Sequence, residues 1–595
     1  MKLLHYNIRN KDKNRIILSG LISERFILWK NNARIRSMKL TLIAALLSMT
    51  FAGCEFLDYN EVEQYDKDQI LMEFSRVKSL LNNAYSYLPD DFSSVEGAMR
   101  ASASDDAEHV WDASDIQKFN DGSWNALVTL DDKWKAMYSG IRIANLFLEE
   151  TDGLTFESIK YNLDYPQMMQ QFKLYPYEAR FLRAFYYFEL AKRYGRIPLI
   201  TSCLSPEESN KVEPAAFETI VDFIVSECDS VAKYLPVKFT GLPGAETGRA
   251  TKGAAMALKA RTLLYAASPL HNPDNVKEKW VRAAKASKEL IDALGSNYTP
   301  LEAYLTIVNN LNSKELIFEC RQRDERTFEQ ANTAIGFEGG NTGTCPTQNL
   351  IDAYEMKSTG LGILETGSGY DPNNPYAASG PAARDPRLGM TILYNGASWK
   401  SQPVQTWYGG LNAPPKPNAT KTGYYLKKYM IESISLNPEN PSTAIHVWVL
   451  FRYSEVLLNY AEAMNEAFGP EVLDVAPLNN LTARAAVNIV RARTGVAMPP
   501  FPAGMTQSAF RDKLRNERRV ELAFEDHRFW DIRRWWIGDQ TINIRGVDIS
   551  KDALDVLTYT LKTVEDRLWD DRMYLYPIPQ TEININGKLT QNPGW

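Results

Sequence analysis

The side chains able to do covalent chemistry are scattered along the 595 residues. The five histidines, His5, His109, His271, His446 and His527, form no HExxH or other ligand spacing. There is no GxSxG elbow, Walker loop or post-strand GxGxxG, and Gly339-Gly340 and Gly367-Ser368-Gly369 read as turn material. The 73 acidic residues are too many for a glycosidase carboxylate pair to be singled out by counting. Cys54, Cys203, Cys228, Cys320 and Cys345 are widely spaced and lack CxxC, so no zinc site is expected, while one or two disulfides are permitted. No catalytic residue, metal ligand or cofactor is therefore expected, with calcium the one ion kept open.

Non-covalent chemistry is better supplied. Two stretches rich in turn residues, 90–131 and 336–440, carry Asp106, Trp111 and Trp124 in the first and Tyr370, Tyr376, Trp399, Trp407 and Tyr408 in the second. A ring face stacks on the apolar face of a pyranose, and flanking Asp, Asn and Gln take its hydroxyls. These eight residues are the expected ligand contacts. Loops of such length are usually functional or disordered, and aromatic content argues against disorder.

The densest charge lies at residues 511–536, RDKLRNERRVELAFEDHRFWDIRRWW, which read as one long helix. Arg518–Glu521, Glu525–Arg528 and Arg528–Asp531 stand three residues apart and are expected to pair along its surface. Buried unpaired charge is costly, so Glu517, Arg518, Glu521, Glu525, Arg528 and Asp531 are read as a structural ion-pair set. The rivals are an RNA-stacking surface and a catalytic carboxylate cluster. A net charge of −6 and a pI near 5.7 argue against nucleic acid as a partner.

Residues 517–535, ERRVELAFEDHRFWDIRRW, resemble the C-terminal signature of the SusD/RagB lipoproteins of Bacteroidetes. Residues 177–200 through RIPLI, ARAAVNIVRARTGV at 483–496, and YPIPQTEI and LTQNPGW near the end resemble further family segments. The resemblance implies a tetratricopeptide-like helical scaffold, a glycan ligand and a SusC-like TonB-dependent transporter as partner. None of the eight ligand-contact residues lies in a family segment.

Around this core the chain divides readily. Residues 1–37 are expected to be a non-native N-terminal extension, with Met38 the natural start. Residues 38–53 read as a lipoprotein signal peptide: Lys39, an apolar run too short to span a bilayer, then Phe51-Ala52-Gly53 before Cys54. Cys54 is the expected lipid attachment, anchoring the protein to the outer membrane, and 54–69 an acidic tether. Residues 70–335 are expected to form a helical region, 336–440 a loop-rich ligand-binding region and 441–595 a C-terminal region. Helices are expected at 70–88, 134–148, 177–194, 217–234, 250–268, 280–294, 447–467 and 483–493. Pro577 and Pro579 predict an extended C-terminal strap. The fold class is all-α with long irregular loops carrying the site. The expected function is capture of a glycan at the cell surface and its delivery to the transporter, without catalysis. The alternatives are a peptide-binding or scaffold subunit, or a helical glycoside hydrolase or lyase.

Overall fold

The computed structural model describes residues 66–89, 92, 94–239, 242, 246–321, 324–473 and 480–595. The expected leader, the lipidated Cys54 and the tether up to residue 65 lie outside them. Residues Leu71–Trp595 form one unit. Its principal helices are α1 (Phe74–Tyr85), α2 (Trp134–Glu150), α3 (Tyr175–Tyr194), α4 (Phe217–Val231), α5 (Lys252–Ala267), α6 (Lys277–Tyr298), α7 (Tyr453–Phe468), α8 (Ala483–Arg491), α9 (Gln507–Glu521) and α10 (Arg528–Arg534). From α2 to α8, each packs on the next, α2 meeting α3, α3 α4, α4 α5, α5 α6, α6 α7 and α7 α8. This is the expected tetratricopeptide-like stack of paired helices.

Local sequence explains the ends and the spacings. Thr251, Thr482 and Thr506 cap α5, α8 and α9 by accepting a backbone N–H three residues on. α3 opens with Pro176 and closes on Gly195, whose left-handed φ of 70° a Cβ would resist. Close helix approach is set by missing side chains: a Cβ on Gly140 of α2 would lie 2.7 Å from the Tyr186 ring of α3, and one on Gly295 of α6 would lie 2.5 Å from the Tyr453 hydroxyl of α7. α3 is buried on nearly all sides, which explains its aromatic run Phe181, Phe185, Tyr186, Tyr187 and Phe188. Each such ring contributes roughly 1.5–3 kcal/mol of transfer free energy.

The strands are short and paired in twos. They are β1 (Ala107–His109), β2 (Leu316–Arg321), β3 (Thr344–Pro346), β4 (Val447–Arg452), β5 (Asn543–Lys551) and β6 (Leu557–Asp566), besides several two-residue bridges. β1 pairs with β3, β2 with β4 and β5 with β6, all antiparallel.

Two expectations are corrected, and one element is added. The helix expected at 447–467 starts only at Tyr453; VWVLFR before it is strand β4, whose β-branched and aromatic residues pair with β2. The single helix expected at 511–536 breaks after Glu521 and restarts at Arg528, with Phe524 and Asp526 at φ near +60° between them. The β5–β6 hairpin was not anticipated, although LTYTLKTVED alternates as a strand should. Cys203, Cys228, Cys320 and Cys345 form no disulfide. The C-terminal strap is extended apart from a short helix, Gln580–Ile585.

Candidate ligand-binding surface

The break between α9 and α10 aims the carboxylates inward. Glu521 accepts from Arg452 (2.8 Å), Arg493 (2.7 Å) and Arg387 (2.9 Å). Glu517 pairs with Arg387 at 2.7 Å and Arg491 at 2.5 Å, and Glu525 with Arg452 and Lys428, both at 2.6 Å. Asp531 receives Arg518 at 2.8 Å and Arg534 at 2.7 Å, while Arg528 reaches Asp105 at 2.8 Å. The six residues thus are ion-paired, and all but the partly exposed Arg528 are buried, but their partners are mostly distant in sequence; only Asp531–Arg534 is a three-residue neighbour. Arg518–Glu521, Glu525–Arg528 and Arg528–Asp531 do not pair: Arg518 reaches Asp531 across the break, Arg528 turns to Asp105, and Glu521 and Glu525 are taken by arginines of other elements. Burial pushes the Glu521 carboxyl up, yet Arg493, Arg452 and Arg387 hold it well below the usual carboxylate range. Burial also lowers the Lys428 ammonium to about 8 against the pull of Glu525. Every carboxylate of this core is engaged, which fits a structural role and leaves no free acid–base pair in it.

The eight expected ligand contacts separate into two groups. Four are structural. Asp106 is buried and accepts from Arg519 at 2.6 Å. Trp124 is 1 % exposed, packed edge-on against Tyr576 and Trp595. Trp399 is 2 % exposed and lines a cavity of about 400 Å³ with Tyr304, Met390 and Lys428. Tyr376 is buried with its hydroxyl 2.9 Å from that of Tyr424. Rings with 1–7 % exposure offer little face to a sugar, because the loops that carry them are themselves packed.

The others reach solvent. Tyr408 is 67 % exposed, Trp111 36 %, and Trp407 and Tyr370 are half-buried. The hairpin gathers three of them. The backbone N–H of Tyr408 donates to the Ile549 carbonyl of β5 at 2.8 Å, and Lys551 Nζ sits 4.7 Å from the Trp407 ring centre. Ile549 is paired with Tyr559 across the hairpin. The Tyr559 ring stands edge-on to Tyr376 at 5.7 Å, and Tyr376 stacks on Tyr394 at 4.6 Å. Tyr370 holds the Arg384 guanidinium at 5.4 Å and lies within electrostatic reach of Tyr559. The result is an aromatic rim of Tyr408, Trp407, Tyr559, Tyr394 and Tyr370 with Tyr376 as its inner support. Tyr394 and Tyr559 were missed from sequence; the strand alternation around Tyr559 was the usable signal. Trp111 stands apart, held by a 3.1 Å bond from its indole N–H to the Thr342 carbonyl.

The hairpin is seated by close backbone contact. The Val547 N–H donates to the Thr422 carbonyl at 2.9 Å, and a Cβ on Gly546 would lie 2.8 Å from Thr422. Arg545 reaches Asp352 at 2.8 Å, and its N–H donates to Asn349 at 2.8 Å. Burial pushes the Tyr370, Tyr394 and Tyr559 phenols up, so they remain neutral hydrogen-bonding groups. Burial lowers His109 to about 4 and His271 to about 3, leaving both uncharged at neutral pH. Among the described residues no His, Cys, Asp and Glu group is arranged to hold a metal ion. What the rim offers is stacking faces and neutral hydroxyls.

Comparison with known proteins bears on the fold and the family. Residues 314–595 match the SusD family model, and residues 55–264 a second model described as starch-binding associating with outer membrane. The chain belongs to the SusD/RagB family. Among curated SusD/RagB relatives, SusD-like protein P2 of Formosa agariphila is 23 % identical over 94 % of this chain and 100 % of its own length. A SusD-like protein of Bacteroides fragilis superposes with a TM-score of 0.74 at 27 % identity, covering 90 % of this chain and 99 % of that one. A SusD-like carbohydrate binding protein of the same species does so with 0.67 at 26 %, covering 88 % and 100 %.

Proposed function

We propose that this SusD/RagB protein is a lipid-anchored binding subunit at the cell surface that captures a glycan and passes it to a SusC-like TonB-dependent transporter. The observation that carries the glycan reading is the rim of five partly exposed rings, Tyr370, Tyr394, Trp407, Tyr408 and Tyr559, on a rigid seat. Stacking platforms of this kind bind without transforming, because nothing in them activates water or a leaving group. Support also comes from the family description, which joins starch binding to the outer membrane, and from the carbohydrate-binding relative of known structure. Anchoring rests on Cys54 and its preceding apolar run, and hand-over to the transporter on the family resemblance.

A glycan array followed by a reducing-end assay on the retained glycan tests this reading. Retention of a glycan that is recovered at its original length supports it. Sustained release of new reducing ends would favour the hydrolase reading, and a blank array with intact transporter binding would favour the scaffold.

A further inference from the structure

The seat of the hairpin contains an arrangement that the capture reading does not use. Glu565 near the end of β6 and Glu108 in β1 lie on one guanidinium: Arg567 donates from Nη2 to Glu108 at 2.6 Å and from Nε to Glu565 at 3.0 Å. Arg567 also donates to the carbonyls of Ser104 (2.7 Å) and Ala107 (3.1 Å), so this one side chain fastens the hairpin to segment 104–108. The two carboxyl groups are within hydrogen-bonding reach of each other. Lys421 approaches Glu108 at 3.3 Å and also pairs with Asp112. Gln117 donates to Glu108 at 3.0 Å. His109 is neutral, and Cys345 across β3 is held as a thiol, its pKa pushed up to about 12 by burial. Two carboxyls thus share Arg567, while Lys421 serves Glu108 and Asp112.

We propose that Glu565 and Glu108 form a proton-sharing latch that seats the β5–β6 hairpin, and with it the aromatic rim, in a pH-dependent way. With one proton between them, Glu565 donates to Glu108 and the hairpin is tied to β1 by hydrogen bond and guanidinium together. Without it, two like charges face each other across a partly dry gap and the tie weakens. Two routes lead from the latch to exposed rings. β6 carries both Glu565 and Tyr559, and Lys421 adjoins Thr422, whose carbonyl holds Val547 of β5.

The window follows from the groups around the pair. Burial raises Glu565 to about 7 in spite of Arg567, with Glu108 adding to the rise, while burial also pushes Glu108 up but Arg567 with its hydrogen bonds draws it below its ordinary value. A carboxyl raised on folding stabilises fully below its unfolded value near 4.5, and that contribution is lost as pH climbs through about 7.

Amide hydrogen exchange of residues 543–566, corrected for intrinsic rates, measured on the whole protein at pH 6 and pH 8, tests the latch. Wild type is expected to lose protection at pH 8 by about threefold or more. Glu565→Gln, a permanent donor, is expected to keep its pH 6 protection at pH 8, and Glu108→Gln to flatten the response by removing the repulsion. Equal protection of the wild-type hairpin at both pH values would overturn the proposal by itself. So would an unchanged pH response in either folded variant.

Discussion

Tyr408 and Trp124 show how exposure, not residue type, decides what a ring does. Tyr408 is open to solvent and anchored only through its backbone N–H to Ile549. Tyr408→Ala is therefore expected to weaken glycan binding by about 1 kcal/mol, roughly fivefold, with the melting temperature nearly unchanged. Calorimetric titration alongside thermal unfolding checks both halves. Trp124→Ala and Trp399→Ala are expected to cost about 3–5 kcal/mol of stability through the cavities they leave, measured by urea unfolding. From sequence these two were indistinguishable from Trp407, because a loop-rich stretch does not reveal which of its rings turn inward. The charged residues were more legible: a stretch dense in both arginines and aromatics had to be buried and paired. Their partners were not, since Arg387, Arg452, Arg491 and Arg493 are brought in by tertiary folding. Glu521→Ala would take one carboxylate from each of three buried guanidinium groups, leaving Arg387 to Asp385 and Glu517, Arg452 to Glu315 and Glu525, and Arg493 to Glu315, and is expected to destabilise by about 3 kcal/mol.

Among the elements, the paired helices were readable wherever capping and breaker residues agreed with the apolar period. α3 ends at Gly195 and α5 starts after Thr251, as such residues dictate. The errors fell where two periods overlap. Residues 447–467 are apolar enough to pass as one helix, yet the first six form a strand because β2 offers them a partner. The α9–α10 break left no glycine or proline in the sequence; Phe524 and Asp526 adopt positive φ because the ion pairs on either side fix the turn. The Gly140 approach between α2 and α3 gives an element-scale prediction. Gly140→Ala pushes a methyl into the Tyr186 ring and should destabilise by about 1–3 kcal/mol, read by thermal unfolding.

Across the whole molecule, the regions 70–335, 336–440 and 441–595 share one charged core, since Glu315, Arg387 and Glu521 come from each in turn and meet through Arg452 and Arg493. Acid should also undo buried ion pairs outside this cluster. Burial opposes ionisation of Glu189 and Glu462, but Lys192 with Arg193 and Arg534 respectively lower them to about 2. Groups depressed on folding stabilise above their unfolded value near 4.5, and that contribution, about 3 kcal/mol each, is lost as pH falls toward 2. Thermal unfolding between pH 7 and pH 3 should follow that course. The aromatic rim is the part of the account closest to function, and affinity electrophoresis of wild type and a Trp407→Ala/Tyr408→Ala double variant through gels holding the array-selected polysaccharide tests it most directly. Retarded wild type with a double variant that runs freely yet melts like wild type is the predicted result. Equal retardation of the two would contradict it and move the ligand elsewhere on the molecule.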